Sequence, residues 1–240
     1  MRGRRALLLA VVVAGSLLLQ ATPSWASETP KGTYTDVSMG SNGHYNQDFF
    51  VFPHTQATNY FWADYFGFNS PVDRHGYMGL QNTSSGKIAL ATVFGTGTSG
   101  TAGAPLQTEG PGWTIRIPFN WQVNHYYRMR IWKNAGPTTW GFWVAEVNST
   151  LTGVVSETFL GYITASGASS LNGSSTMFTE YFGGALSSCS ALPYSGAYLQ
   201  LKADGGTVIA ASRNNYLGTG SCTNSRVAFY GEWSHHEMGI

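Results

Sequence analysis

Charge is scarce in this chain: only 10% of its 240 residues are Asp, Glu, Lys or Arg. So thin a supply cannot lace a surface helix with i,i+4 ion pairs. No long run of Ala, Leu, Glu and Lys follows the first 26 residues to supply helix propensity. Basic residues do not cluster beyond Arg128, Arg130 and Lys133. That excludes the electrostatic footprint of a nucleic-acid partner and of attachment to a lipid surface. Cysteine is nearly missing as well. Cys189 and Cys222 do not form a C-x-x-C redox pair, and in an exported chain they are expected to make one structural disulfide, worth roughly 3–4 kcal/mol. A G-x-S-x-G elbow, a Walker loop and an H-E-x-x-H helix are all lacking, and nothing implies a cofactor.

Long apolar runs are lacking too, with one exception. Arg2, Arg4 and Arg5 precede an apolar stretch from Ala6 to Leu19, and "ATPSWAS" follows with small residues at Ser24 and Ala26. This is the layout of a signal peptide spanning 1–26 and cut after Ala26, so the protein is expected to be secreted and extracellular. Arg4-Arg5 leaves twin-arginine export open beside the general secretory route. No later segment reaches the ~18 apolar residues of a membrane span, so no membrane partner is expected after cleavage. Three of the 13 basic residues leave with the signal, so ten remain against twelve acidic ones, a net charge near −2. A neutral ligand fits that balance.

Glycine and aromatic rings are what the chain has in abundance. Thirty glycines stand well above the usual ~7%, and Phe, Trp and Tyr make up 14%. Short runs such as "NYFWADYFGF", "KIALATVFG", "YYRMRIWK", "TWGFWVAEV" and "MFTEYFG" recur between Gly, Pro, Ser or Asn clusters. About twelve such runs predict an all-β fold, and a parallel sheet has no helical crossovers to connect it. The expectation is one antiparallel β-sandwich of jelly-roll, concanavalin A-like type over 46–240, preceded by an extended lead-in at 27–45.

Four motifs follow in order: "HGYMGLQ" (75–81), "TEGPGW" (108–113), "NWQVNHYYRMRIW" (120–132) and "FTEYF" (178–182). Together they resemble the secreted bacterial family catalogued as domain of unknown function 3472, over roughly residues 46–235. The matching positions are Gly76, Tyr77, Gly79 and Gln81; Glu109, Gly110 and Gly112; Trp121 and Tyr126; and Glu180. Phe94 stands where members often carry tryptophan, and Pro111 where an acid is usual. The resemblance implies a sandwich akin to lectin and glucanase jelly rolls and hands over no activity.

Three carboxylates sit among aromatics. Asp64 shares a strand face with Trp62 and Phe66, Glu180 with Phe178 and Phe182, and Glu232 with Tyr230 and Ser234. A buried carboxylate must be paired, neutral or open to water. For Glu180 that leaves two solutions: an ion pair with Arg128 or Arg130, or a place on the floor of a sugar-binding cleft. Tyr77, Gln81, Glu109, Trp113, Arg128, Arg130 and Trp143 are the candidate ligand-binding residues, and Trp140 also sits beside a glycine where it could be exposed. The functional expectation is a binder of poly- or oligosaccharide. One alternative is a glycoside hydrolase or lyase using Glu180 with Glu232 or Glu109 as its carboxyl pair; another is a structural or adhesion module of the cell surface. No metal site is expected. His235, His236 and Glu237 read as a solvated tail, and His44, Asp48, Asn42 and Asn46 form only a fragment of a Ca²⁺ ligand set.

Overall fold

The computed structural model describes residues 27–70 and 74–240; the signal-peptide reading of 1–26 lies outside them. In chain order the strands are β1 (Thr33–Ser38), β2 (Asn46–Pro53), β3 (Tyr60–Phe68), β4 (His75–Thr83), β5 (Gly86–Phe94), β6 (Ser99–Gly100), β7 (Ala104–Pro105), β8 (Gly112–Pro118) and β9 (Tyr126–Trp132). They continue as β10 (Thr139–Val147), β11 (Val154–Thr164), β12 (Leu171–Tyr181), β13 (Ser195–Ala203), β14 (Val208–Ile209), β15 (Ser212–Leu217), β16 (Ser225–Tyr230) and β17 (Trp233–Met238). Two 3₁₀ turns, Cys189–Ala191 and Asp204–Gly206, complete the elements. No helix among the described residues is long and apolar enough to cross a membrane.

The strands form two antiparallel sheets packed into a sandwich of the expected jelly-roll type. The first runs β15-β1-β12-β3-β4-β5-β8-β7 and the second β16-β17-β13-β2-β9-β10-β11-β6, with β14 against β13. β1 lies inside the stretch set apart as a lead-in, yet it is bonded on both sides, to β15 and β12. The sandwich therefore begins at Thr33, not at 46. Polar residues hid this strand: Thr33 and Thr35 face inward and are fully buried, so "TYTDVS" shows no hydrophobic alternation.

The core fills the space between the sheets. Trp62, Trp121, Trp140, Tyr127, Phe49, Phe66 and Phe142 are all completely buried there. Each ring of this size removes about 150–250 Å² from water, worth roughly 4–6 kcal/mol at about 25 cal/mol per Å². Trp62 packs edge-on against Trp121 at 5.1 Å, and the indole N–H of Trp121 donates to the Gln81 carbonyl at 3.2 Å. Trp140 is not exposed as its glycine neighbour suggested; its N–H donates to the Ala168 carbonyl at 3.0 Å. The expected Cys189–Cys222 disulfide is present and spans 33 residues of sequence. It ties the first 3₁₀ turn to the segment leading into β16.

Candidate functional site

Strand register determines what the outer face of the first sheet presents. Pairing aligns Tyr216, Tyr34, Phe178, Ala63, Gly79, Leu90 and Arg116 in one row across seven strands. The next row runs Glu180, Phe61, Gln81 and Ile88. The row on the other side runs Asn214, Asp36, Thr176, Tyr65, Tyr77 and Thr92. Small residues, Ala63 and Gly79, therefore occupy the middle of the sheet while rings stand around them. Gly79 is required there, because a Cβ would lie 2.1 Å from the Trp62 carbonyl oxygen. The result is a trough of about 500 Å³, floored by Phe61 and Phe178 and walled by Tyr34, Tyr77, Phe94 and Tyr216. A second hollow of about 680 Å³ continues it, sharing Tyr65 and Thr176 and lined by Asp36, Asn172, Ser174 and Asn214.

Polar groups are set among the rings. Glu180 accepts a hydrogen bond from the Tyr34 hydroxyl, and Glu109, on the loop before β8, accepts one from Tyr77 at 3.1 Å. Burial, reinforced by Glu180, pushes the Tyr34 phenol well above its ordinary range, and burial does the same to Tyr77. Both phenols stay protonated and act as donors. Tyr34 stacks on Tyr216 at 5.1 Å with planes 12° apart, and Phe61 meets both Tyr77 and Phe178 edge-on at 5.4 Å. The Gln81 amide and the Arg116 guanidinium have no hydrogen-bond or ion-pair partner among the described residues.

Of the candidate ligand-binding residues, Tyr77, Gln81 and Glu109 come together here with Glu180. The others do not. Trp113 points toward the core and donates its N–H to the Ala102 carbonyl at 2.6 Å. Arg128, Arg130 and Trp143 belong to the second sheet, the wrong layer for Glu180. Arg130 grips Asp48 through two hydrogen bonds of 2.5 and 2.7 Å, and Arg128 holds Glu157 at 2.7 Å. Trp143 packs against Phe159 at 4.9 Å. The expected Glu180–arginine pair is therefore not formed; Glu180 opens onto the trough.

The carboxyl pair Glu180–Glu232 is not assembled either. Glu232 occupies the turn between β16 and β17 rather than a strand, accepts from Gln200 at 2.6 Å, and does not line the trough. Asp64 faces inward and is fully buried, with Gln47 donating to it at 2.5 Å. Burial raises its pKa to about 8, so it is a neutral core acid at pH 7. The Ca²⁺ fragment is spent on other contacts: Asp48 on Arg130, His44 on Asp204 at 2.8 Å, and Asn46 on the Gly205 N–H at 2.7 Å. His235, His236 and Glu237 are not a solvated tail but part of β17, with His236 buried between the sheets.

Sequence reasoning missed Tyr34, Phe61, Phe94, Arg116 and Tyr216. For Arg116 a signal existed: it is the one charge in the alternating run "GWTIRIPF".

No protein-family model matches the chain, and no curated protein sequence does. Among solved structures it is similar to the CBM40 of the Ruminococcus gnavus IT-sialidase bound to alpha2,3 sialyllactose. The identity is 11% over 64% of this chain and 76% of that one, with a TM-score of 0.20. A likeness that slight carries no argument about the site.

Proposed function

We propose that this is a secreted carbohydrate-binding protein, of the family it resembles, that holds a neutral oligo- or polysaccharide in the trough of its first sheet. The observation behind this reading is the mixture of surfaces: aromatic faces beside planar polar groups in one depression. Pyranose rings have apolar faces that stack on aromatics, and hydroxyl-rich edges that suit Glu180, Gln81, Glu109 and Arg116. The continuation past Tyr65, where hydroxyls and amides stand beside Asp36, Arg74 and Arg213, supports a ligand of several sugar units rather than one.

Isothermal titration with soluble polysaccharides and a glycan array test the reading. Tyr216 is 40% exposed and stacks only at the rim, so Tyr216→Ala is expected to fold normally and weaken binding about tenfold, near 1.4 kcal/mol. Gln81→Ala is expected to do the same through lost hydrogen bonds. No saturable binding at millimolar sugar, or wild-type affinity in both variants, would refute the assignment.

A further inference from the structure

The second sheet carries a separate hollow on its own outer face. Alternation along β2, β9 and β13 sends Phe52, Tyr126 and Tyr198 outward, and register sets Phe52 opposite Tyr198. Tyr230 and Trp233 face one another across the β16–β17 hairpin. The five rings form an open arc from Trp233 through Tyr126, Phe52 and Tyr198 to Tyr230. Phe52 stacks on Tyr126 at 4.2 Å, and Tyr126 is 6.0 Å from Trp233. Tyr230 is 5.7 Å from Tyr198, which is 6.5 Å from Phe52. They line an open hollow of about 210 Å³.

This box differs in kind from the trough. No carboxylate, amide or guanidinium lines it, so a sugar would find no planar partner for its hydroxyls. Along the arc, successive ring planes differ by 53°, 27°, 36° and 86°, so the rings do not make one flat platform. The face of an aromatic ring is the negative end of its quadrupole. Rings lining several sides of one small hollow favour a compact cation whose own hydration is weak. Two imidazoles pack against these rings. His235 stacks on Tyr198 at 4.3 Å, and His54 meets Phe52 and Tyr198 edge-on at 5.0 and 4.9 Å. Burial lowers the His235 pKa, so this imidazole is neutral at pH 7 and does not repel a bound cation. A box fixed before binding loses little freedom on binding.

We propose that this box holds a trimethylammonium group, as carried by choline, betaine or a phosphocholine headgroup. Calorimetric titration of the purified protein with choline chloride is the test, with glycine betaine and phosphatidylcholine vesicles as parallel arms. The neutral isostere 3,3-dimethylbutan-1-ol and methyl β-glucoside serve as controls. Choline is expected to saturate the box and the isostere to bind at least about tenfold more weakly. Tyr230 is 54% exposed, so Tyr230→Ala should keep the fold and weaken choline at least about tenfold, whereas Tyr230→Phe should match the wild type. Vesicle binding would place the group in a lipid headgroup, and binding of the free compounds alone in a soluble metabolite; both support the site. Equal affinity for the isostere, displacement of choline by the glucoside, no saturation below about 50 mM, or wild-type affinity in Tyr230→Ala would overturn it.

Discussion

At the scale of single residues, the unusual groups are the ionisable ones sealed between the sheets. Asp64 has its folded pKa raised from 3.8 to about 8 by burial, while burial depresses His236 from 6.5 to about 3. The two act in opposite senses. Asp64 stays protonated in the fold and ionises once unfolded, so its contribution is complete below about pH 3.8 and is lost as pH rises toward 8. His236 stays neutral in the fold and protonates once unfolded, so stability is lost as pH falls from 6.5 toward 3. Thermal melts of Asp64→Asn across pH 5–8 are expected to show a shallower decline with rising pH than the wild type. An unchanged slope would mean that Asp64 is not the titrating group. Glu180 is the contrasting case: it opens onto the trough and accepts a hydrogen bond from Tyr34.

At the scale of elements, alternation made most strands legible before any coordinates. In "MFTEYF" it placed Phe178 and Glu180 on one face and Met177, Thr179 and Tyr181 on the other; the structure puts the second set inward and the first on the trough. What alternation could not supply was which face of each strand meets the other sheet, since both carry rings. That is why Trp113 was assigned to the ligand while Tyr34 and Phe61 were not; Trp143 does face outward, but from the second sheet. β1 and β17 escaped notice because two of the three inward positions in each, Thr33 and Thr35 beside Val37, Ser234 and His236 beside Met238, are polar groups that reveal burial only once partners are known. The disulfide was readable because it depends on residue type alone, whereas of the motif residues Tyr77, Gln81 and Glu109 line the trough and Trp113 turns to the core. Gly79 makes an element-level prediction. Valine there would thrust methyl groups into the β3 backbone, where even a Cβ lies 2.1 Å from the Trp62 carbonyl. Gly79→Val should therefore destabilise by about 1–3 kcal/mol or more, seen as a lower urea midpoint, through overpacking. A neutral result would show that β4 can shift within the sheet.

At the scale of the whole molecule, two broad sheets rest on one aromatic core, and a covalent tie secures the segment that leads into β16. Replacing Cys189 and Cys222 by serine is expected to cost roughly 3–4 kcal/mol and lower the melting temperature by about 10 °C for a domain of this size. Calorimetry with and without reductant checks this, and coincident melts would show that the bridge is not stabilising. The core also separates the two outer faces. Trough and box lie on the outer faces of different sheets of a slab two sheets thick, so neither occupant blocks the approach of the other. Geometry of that sort suits a rivet: with the two proposed occupants in place, a glycan on one side and a small cationic group on the other would turn a single folded unit into a coupling between two materials.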